Sequence, residues 1–173
     1  MLQEFNFQRA ETVDEVLERL ASSGEKIQLV AGGTDVMISL RYEELSRTIE
    51  EVLDISGIDE LKYVHLKEAD GKKNLHIGAA TPLRQIAGEP IVQENMLVLH
   101  KAAESVGSLQ VRTRGTIGGN IVTAAQCADT VPALLVLDAV LVLKSKNGSR
   151  EIAIEKFFTG PKQTDLRADE LLT

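Results

Sequence analysis

Apolar residues in the first third of the chain follow two rhythms. Across residues 12–23, "TVDEVLERLASS", Val13, Val16, Leu17 and Leu20 recur at helical spacing on one face. Thr12 and Glu15 have the spacing of a capping box, so the stretch predicts an amphipathic helix closed by Gly24. "KIQLVA" at 26–31 is a short continuous apolar run, predicted as a strand that leads straight into Gly32-Gly33-Thr34. "EVLDIS" at 51–56 is a second buried strand, ended by Gly57. Strand, glycine loop, short helix, strand is the grammar of a small α/β lobe.

The rhythm then changes. "LKYVHL" (61–66) and "NLHIGA" (74–79) alternate around a polar linker and predict a hairpin. Thr81-Pro82 has the form of an N-cap followed by proline at the first helical position. Residues 93–106, with Met96, Leu97, Leu99, His100 and Ala103, predict a second helix ending at Gly107. "DTVPALLVLD" (129–138) predicts another, with Asp129 as its candidate cap. "AVLVLKS" (139–145) and "REIAI" (150–154) flank Asn147-Gly148, a strong hairpin signal. With no internal repeat and no low-complexity linker, the expected fold is α+β in two lobes, residues 1–56 and 57–173.

Composition narrows the function classes. Lys+Arg total 19 against Asp+Glu 26, a net charge of −7, so the 173-residue chain repels a phosphate backbone outside its one small basic cluster, Arg112 and Arg114. Aromatics are 3% of residues with no Trp, which removes the stacking platforms of single-strand binders and leaves an aliphatic core. Nucleic acid is not an expected partner. The single cysteine, Cys127, excludes a disulfide framework or a cysteine-rich metal site within these residues. The first residues lack the basic and apolar regions of a signal peptide, and no apolar run nears the roughly 20 residues that span a bilayer. The expected location is cytoplasmic.

Two glycine-rich stretches carry the candidate chemistry: "LVAGGTDVM" (29–37) and "VRTRGTIGGNIVTAAQCAD" (111–129). Glycine weakens regular structure unless the backbone needs an unusual dihedral or something must approach it closely. Gly32-Gly33-Thr34 and the run from Gly115 through Gly118, Gly119 and Asn120 have the composition of backbone nests, concave N–H arrays that hold anions. Thr34, Thr116, Asn120 and Thr123 add neutral donors, which suits a diphosphate held without extra lysines. Two nests on separate lobes predict a long ligand across the seam. Tight turns and close packing account for the same glycines equally well, and neither G-x-G-x-x-G nor the P-loop pattern is present.

The combination is more specific than either stretch. "AGGTD" after an N-terminal strand, followed by "RTRGTIGGNIVTAAQCADTVPALLVLDA", resembles the FAD-binding subunit of the molybdenum hydroxylases, the xanthine dehydrogenase and carbon monoxide dehydrogenase family. The opening "EFNFQRAETVDEVLERL" and the closing "FFTGPKQTDLRADELL" resemble that family as well, so the resemblance covers essentially the whole chain in order. It implies a two-lobed fold of the vanillyl-alcohol-oxidase (PCMH) type with noncovalent FAD in the cleft. Leu29, Val30, Ala31, Gly32, Gly33, Thr34, Asp35 and Val36 match its first loop, with the two glycines and Thr34 around the diphosphate. Thr116, Gly118, Gly119 and Asn120 match its second loop. Thr123 and Asp129 match its polar contacts on the flavin side, where a buried carboxylate acts as an acceptor; capping of the following helix explains Asp129 as well. Val111, Gly107 and Leu172 match places where the family packs the cofactor.

The resemblance also implies an oxidoreductase subunit working in a relay. A molybdenum–pterin centre on one partner subunit oxidises the substrate, two-iron iron–sulfur clusters on another carry the electrons, and FAD passes them to NAD or another acceptor. No catalytic acid or nucleophile and no metal site are expected in this chain. Family chains continue past "DELLT" into a further C-terminal domain, which makes this sequence a fragment or a short subunit. Two other readings stay open: a self-contained FAD oxidoreductase, and a nucleotide-binding module without turnover. His65 and His76 face each other on the predicted hairpin but lack a third ligand, and they and His100 read as structural or exposed. Arg112 and Arg114 suit a phosphate, a partner or a salt-bridged surface. Glu43, Glu44, Glu50 and Glu51 read as a solvated face.

Overall fold

The computed structural model describes residues 4–42, 49–69 and 71–173, so Glu43 and Glu44 lie outside the described residues. The chain opens with β1 (Asn6–Arg9), α1 (Val13–Ser23), β2 (Ile27–Val30), α2 (Val36–Arg41) and β3 (Glu51–Asp54). The three strands are parallel in the order β1-β3-β2. Thr12 caps α1 by accepting the Glu15 N–H, while the Glu15 carboxylate accepts the N–H of Glu11. Val13, Val16, Leu17 and Leu20 bury the apolar face of α1, as their spacing requires. The helix ends at Ser23, but Gly24 is right-handed (φ −55°) rather than a left-handed cap. Close approach explains the glycine there: a β-carbon would lie 2.1 Å from the carbonyl oxygen of Ala168.

Next come the antiparallel hairpin β4 (Val64–Ala69) and β5 (Lys72–Ile77), then six short helices: α3 (Leu83–Gly88), α4 (Pro90–Asn95), α5 (Leu97–Ser105), α6 (Leu109–Arg114), α7 (Ile117–Thr123) and α8 (Thr130–Val136). The predicted hairpin forms between β6 (Val140–Ser145) and β7 (Gly148–Ala153), but its two-residue loop is Lys146-Asn147, with Gly148 (φ +141°) already paired to Ser145. After α9 (Ile154–Phe157) and the small pair β8 (Phe158–Gly160) and β9 (Gln163–Thr164), β10 (Leu171–Leu172) joins the edge of β6. The described residues mix a parallel sheet, antiparallel hairpins and short helices, which is α+β.

Three local expectations are corrected. Thr81 does not cap a helix. It is fully buried, and its hydroxyl accepts the Tyr63 N–H and donates to the Tyr63 carbonyl, both at 3.1 Å, so Pro82 takes the cap position. The helix expected over 93–106 breaks at Met96 (φ −135°, ψ 55°), with Pro90 opening α4 and α5 ending before Gly107. Asp129 precedes α8 with helical dihedrals and makes no capping bond.

Two large apolar cores form among the described residues, beside a third, small cluster. One packs α1 on the parallel sheet through Val16, Leu17, Leu20, Ile27 and Leu53, and draws Ile58, Leu61, Ala80 and Leu171 from beyond residue 56. The other gathers Leu83, Ile86, Leu99, Ile117, Ile121, Leu143, Phe157 and Leu172. Arg150 fastens the C-terminal segment. Its guanidinium pairs with the buried Glu170 carboxylate (2.6 and 2.8 Å) and with Asp165, while Glu170 also accepts the Arg167 N–H.

Candidate cofactor-binding site

In a parallel sheet the carboxyl ends of the strands leave unpaired backbone and room for a ligand. The loop of residues 31–35 leaves β2 at that end. Gly33 has φ +74°, a conformation that side chains disfavour, and it turns the loop into the start of α2. Among the described residues, no acceptor takes the backbone N–H of Gly32, Gly33, Thr34 or Asp35. Four successive unengaged donors are the physical content of an anion nest. The Thr34 hydroxyl donates to the Asp35 carboxylate, 3.3 Å away.

The second stretch is helical, not strand-flanked. Thr116 is buried and caps α7, its hydroxyl accepting the Gly119 N–H at 3.1 Å. The adjoining turn is tied down on both sides, since Leu83 N–H donates to Gly115 O and Pro82 bridges Thr116. Gly118 resolves toward packing. Its N–H donates to Ala79 O at 2.8 Å, and a β-carbon there would lie 2.7 Å from the Ala79 β-carbon. Gly32 meets this second stretch directly, for a β-carbon on it would lie 2.1 Å from Arg114 O and 2.8 Å from the Gly115 α-carbon. The two glycine stretches are one structure in space.

They enclose a cleft of about 530 Å³. Leu29, Ala31, Gly32, Gly33, Thr34, Asp35 and Val36 line one wall, and Val111, Thr116, Gly119, Asn120 and Thr123 line the other. Five predicted residues stand elsewhere. Gly107, at φ +44°, forms the turn before α6 beside Val111 and does not line the cleft. Val30 packs against the small cluster of Leu40, Ile49 and Val52. Gly118 and Leu172 face a second groove of about 430 Å³, between β5 and β6. Asp129 is exposed and outside both, so it is not the buried acceptor expected.

Gln28, Ser39, Leu83, Val106, Gly115, Val122 and Lys162 line the cleft without having been singled out as binding residues. Gly115 was legible as part of the glycine run. Lys162 was not, because it arrives from the β8–β9 turn, held with φ +54° and with its N–H on the Ala124 carbonyl. Among the described residues, Asp35 and Lys162 are the charged ones of the lining, so a diphosphate would meet one ammonium after all.

Other candidates take structural roles. Arg112 donates to the carbonyls of Val106 and Gly107, both at 3.0 Å, and so shapes the turn that places Val106 in the cleft. Arg114 contributes its carbonyl to the contact with Gly32, and its side chain is exposed. His65 and His76 sit directly opposite each other, both exposed, with the His65 ring stacked on Tyr63. His100 is buried beside Glu104, its Nδ1 without a partner. Among the described residues no group of three or more His, Cys, Asp or Glu could hold a metal, and no helix is long and apolar enough to cross a membrane.

The glycine loop of the parallel sheet closes against a second glycine stretch around one cleft, an arrangement that suits a cofactor-binding domain. The chain belongs to the family described as the FAD binding domain in molybdopterin dehydrogenase, which matches residues 3–173, and FAD is therefore its cofactor. It is 38% identical over 150 residues to the nicotinate dehydrogenase FAD-subunit of Eubacterium barkeri, covering 84% of this chain and 48% of that one. It is 35% identical to the glyceraldehyde dehydrogenase medium chain of Sulfolobus acidocaldarius, covering 98% and 58% respectively. Among solved structures, carbon monoxide dehydrogenase from Hydrogenophaga pseudoflava superposes with a TM-score of 0.91 at 29% identity, over 99% of this chain and 58% of that one. The chain spans about half the length of the curated relatives it matches. Its relatives are oxidoreductase subunits.

Proposed function

We propose that this chain is the FAD-holding part of a molybdenum-containing hydroxylase or dehydrogenase. The observation that carries the reading is one cleft lined both by the first loop, whose four successive N–H groups have no acceptor among the described residues, and by Gly119 and Asn120 of the second. Bound FAD supplies a centre that accepts electrons from iron–sulfur clusters on a partner subunit, fed by a molybdenum–pterin centre on another, and gives them to NAD or another acceptor.

The chain's own residues bind and orient. The amides of Gly32 through Asp35 suit the diphosphate, with Lys162 as the nearby cation. Asn120 and Thr123 suit the polar chain beside it, and Leu29, Leu83, Val106 and Val111 give apolar walls that exclude water from the rings. Gly118 serves by letting α7 lie against Ala79. Asp129 and Leu172 stand outside this cleft and rest on the resemblance alone. The proposed fold type is the two-lobed vanillyl-alcohol-oxidase kind, with lobes of 1–56 and 57–173, and the proposed location is cytoplasmic.

The test is to purify the intact protein with and without its co-purifying subunits. One FAD per chain and substrate-dependent bleaching of the flavin only in the assembly support the relay. Bleaching by substrate with this chain alone overturns it in favour of a self-contained oxidoreductase.

A further inference from the structure

Asn120 lies on α7 at the cleft, and Thr130 opens α8 behind it with no exposed surface. The Thr130 hydroxyl donates to Asn120 Oδ1 at 2.5 Å. A carboxamide has an accepting end and a donating end of nearly equal shape, and only its neighbours decide which end faces a ligand. A hydroxyl has one hydrogen to give. Given to Oδ1, it holds the accepting end inward and leaves the two Nδ2 hydrogens for the other side. No described group accepts from Nδ2, and Nδ2 is not among the atoms buried without a partner, so it keeps exposed surface on a residue that lines the cleft.

From this arrangement we propose that Thr130 is a positioning residue that locks Asn120 with its N–H groups toward the cleft, making it a donor to the FAD diphosphate. The proposal rests on the FAD reading of the cleft and adds the polarity of one contact within it. The reversed amide would set a carbonyl oxygen against an anion. In a lining whose one positive side chain among the described residues is Lys162 and which also holds Asp35, the direction of one amide weighs on which ligand is retained.

The experiment titrates FAD and riboflavin into flavin-stripped intact protein, following flavin fluorescence, for wild type, Thr130→Val, Thr130→Ser, Asn120→Ala, Asn120→Asp and the Thr130→Val/Asn120→Ala double variant. A donor contact to a charged group is worth about a tenfold change in Kd. Thr130→Val is expected to weaken FAD by about that factor and to leave riboflavin, which has no phosphate, unchanged. Thr130→Ser restores FAD affinity, and the double variant is no weaker than Asn120→Ala. Asn120→Asp, which turns a carboxylate oxygen outward, loses more than Asn120→Ala. The lock is overturned by unchanged FAD affinity in Thr130→Val, by equal losses for riboflavin, by additive losses in the double variant, or by Asn120→Asp binding as well as Asn120→Ala. The last comparison decides even if the valine variant does not fold. Wild-type protein that binds no FAD overturns the cofactor reading instead, a different result.

Discussion

Gly32 and Arg114, eighty-two positions apart, touch so closely that a methyl group on the first would overlap the carbonyl oxygen of the second. The obstacle is backbone held between α6 and the Thr116 turn, so it cannot swing aside like a side chain. Gly32→Ala is expected to cost about 2 kcal/mol and lower Tm by roughly 4–8 °C, with FAD affinity lost in parallel because the two walls of the cleft move apart. Thermal melting and a FAD titration on one preparation check it, and an unshifted Tm would refute the contact.

Gly119 differs, since a β-carbon there meets only the Thr116 hydroxyl, at 3.0 Å. Gly119→Val should therefore keep the chain folded while obstructing the cleft and abolishing FAD binding. The contrast is Gly148→Ala in the distal turn, where φ is +141° and open space surrounds the β-carbon. It should lose about 1 kcal/mol through backbone strain and keep its flavin. Equal flavin loss in both variants would make the second wall architectural.

The flavin should be noncovalent. Among the described residues no His, Cys or Tyr lines the cleft, and Cys127 is exposed outside it. After acid precipitation the yellow colour is expected in the supernatant; colour in the pellet would show a tether.

Acid should release the C-terminal segment. Hydrogen bonding from Arg150 holds the Glu170 carboxyl below its ordinary value of 4.5, helped by the Arg167 N–H and opposed by burial. A depressed carboxylate contributes stability that is fully present above the unfolded value and is lost as pH falls through the folded one. Stability should thus decline from about pH 4.5 downward. Glu170→Gln should flatten part of that acid limb and cost about 2 kcal/mol at neutral pH. Urea melts between pH 3 and 7 measure both.

The sequence was most legible where one local rule acts alone. Val13, Val16, Leu17 and Leu20 could bury only one helical face, and Asn147-Gly148 marked a tight reversal, though its loop closes one residue earlier, at Lys146-Asn147. It misled where tertiary contacts set the role of a residue. Thr81 reads as a cap, yet a fully buried hydroxyl is better satisfied by the Tyr63 backbone. Gly24 closes α1 as read, but Ala168, distant in sequence, is what requires a glycine there. In the cleft the glycine stretches announced themselves by composition, whereas Lys162 comes from a turn with no signature and Thr130 acts from behind the wall. Residues that reach a site from a distant element leave no spacing to read.

β10 is two residues long, and its alternation sends Leu171 into the core beneath α1 and Leu172 into the core beneath α5. Neighbouring positions on one strand therefore rivet the two halves of the molecule. Loosening either half pulls on the same short piece of backbone, so the halves should melt together in a single transition rather than in sequence. Leu29 and Ala31 of the first cleft wall pack on the core that holds Leu171, and Val111 of the second packs on the core that holds Leu172, so the spacing of the walls is inherited from this rivet.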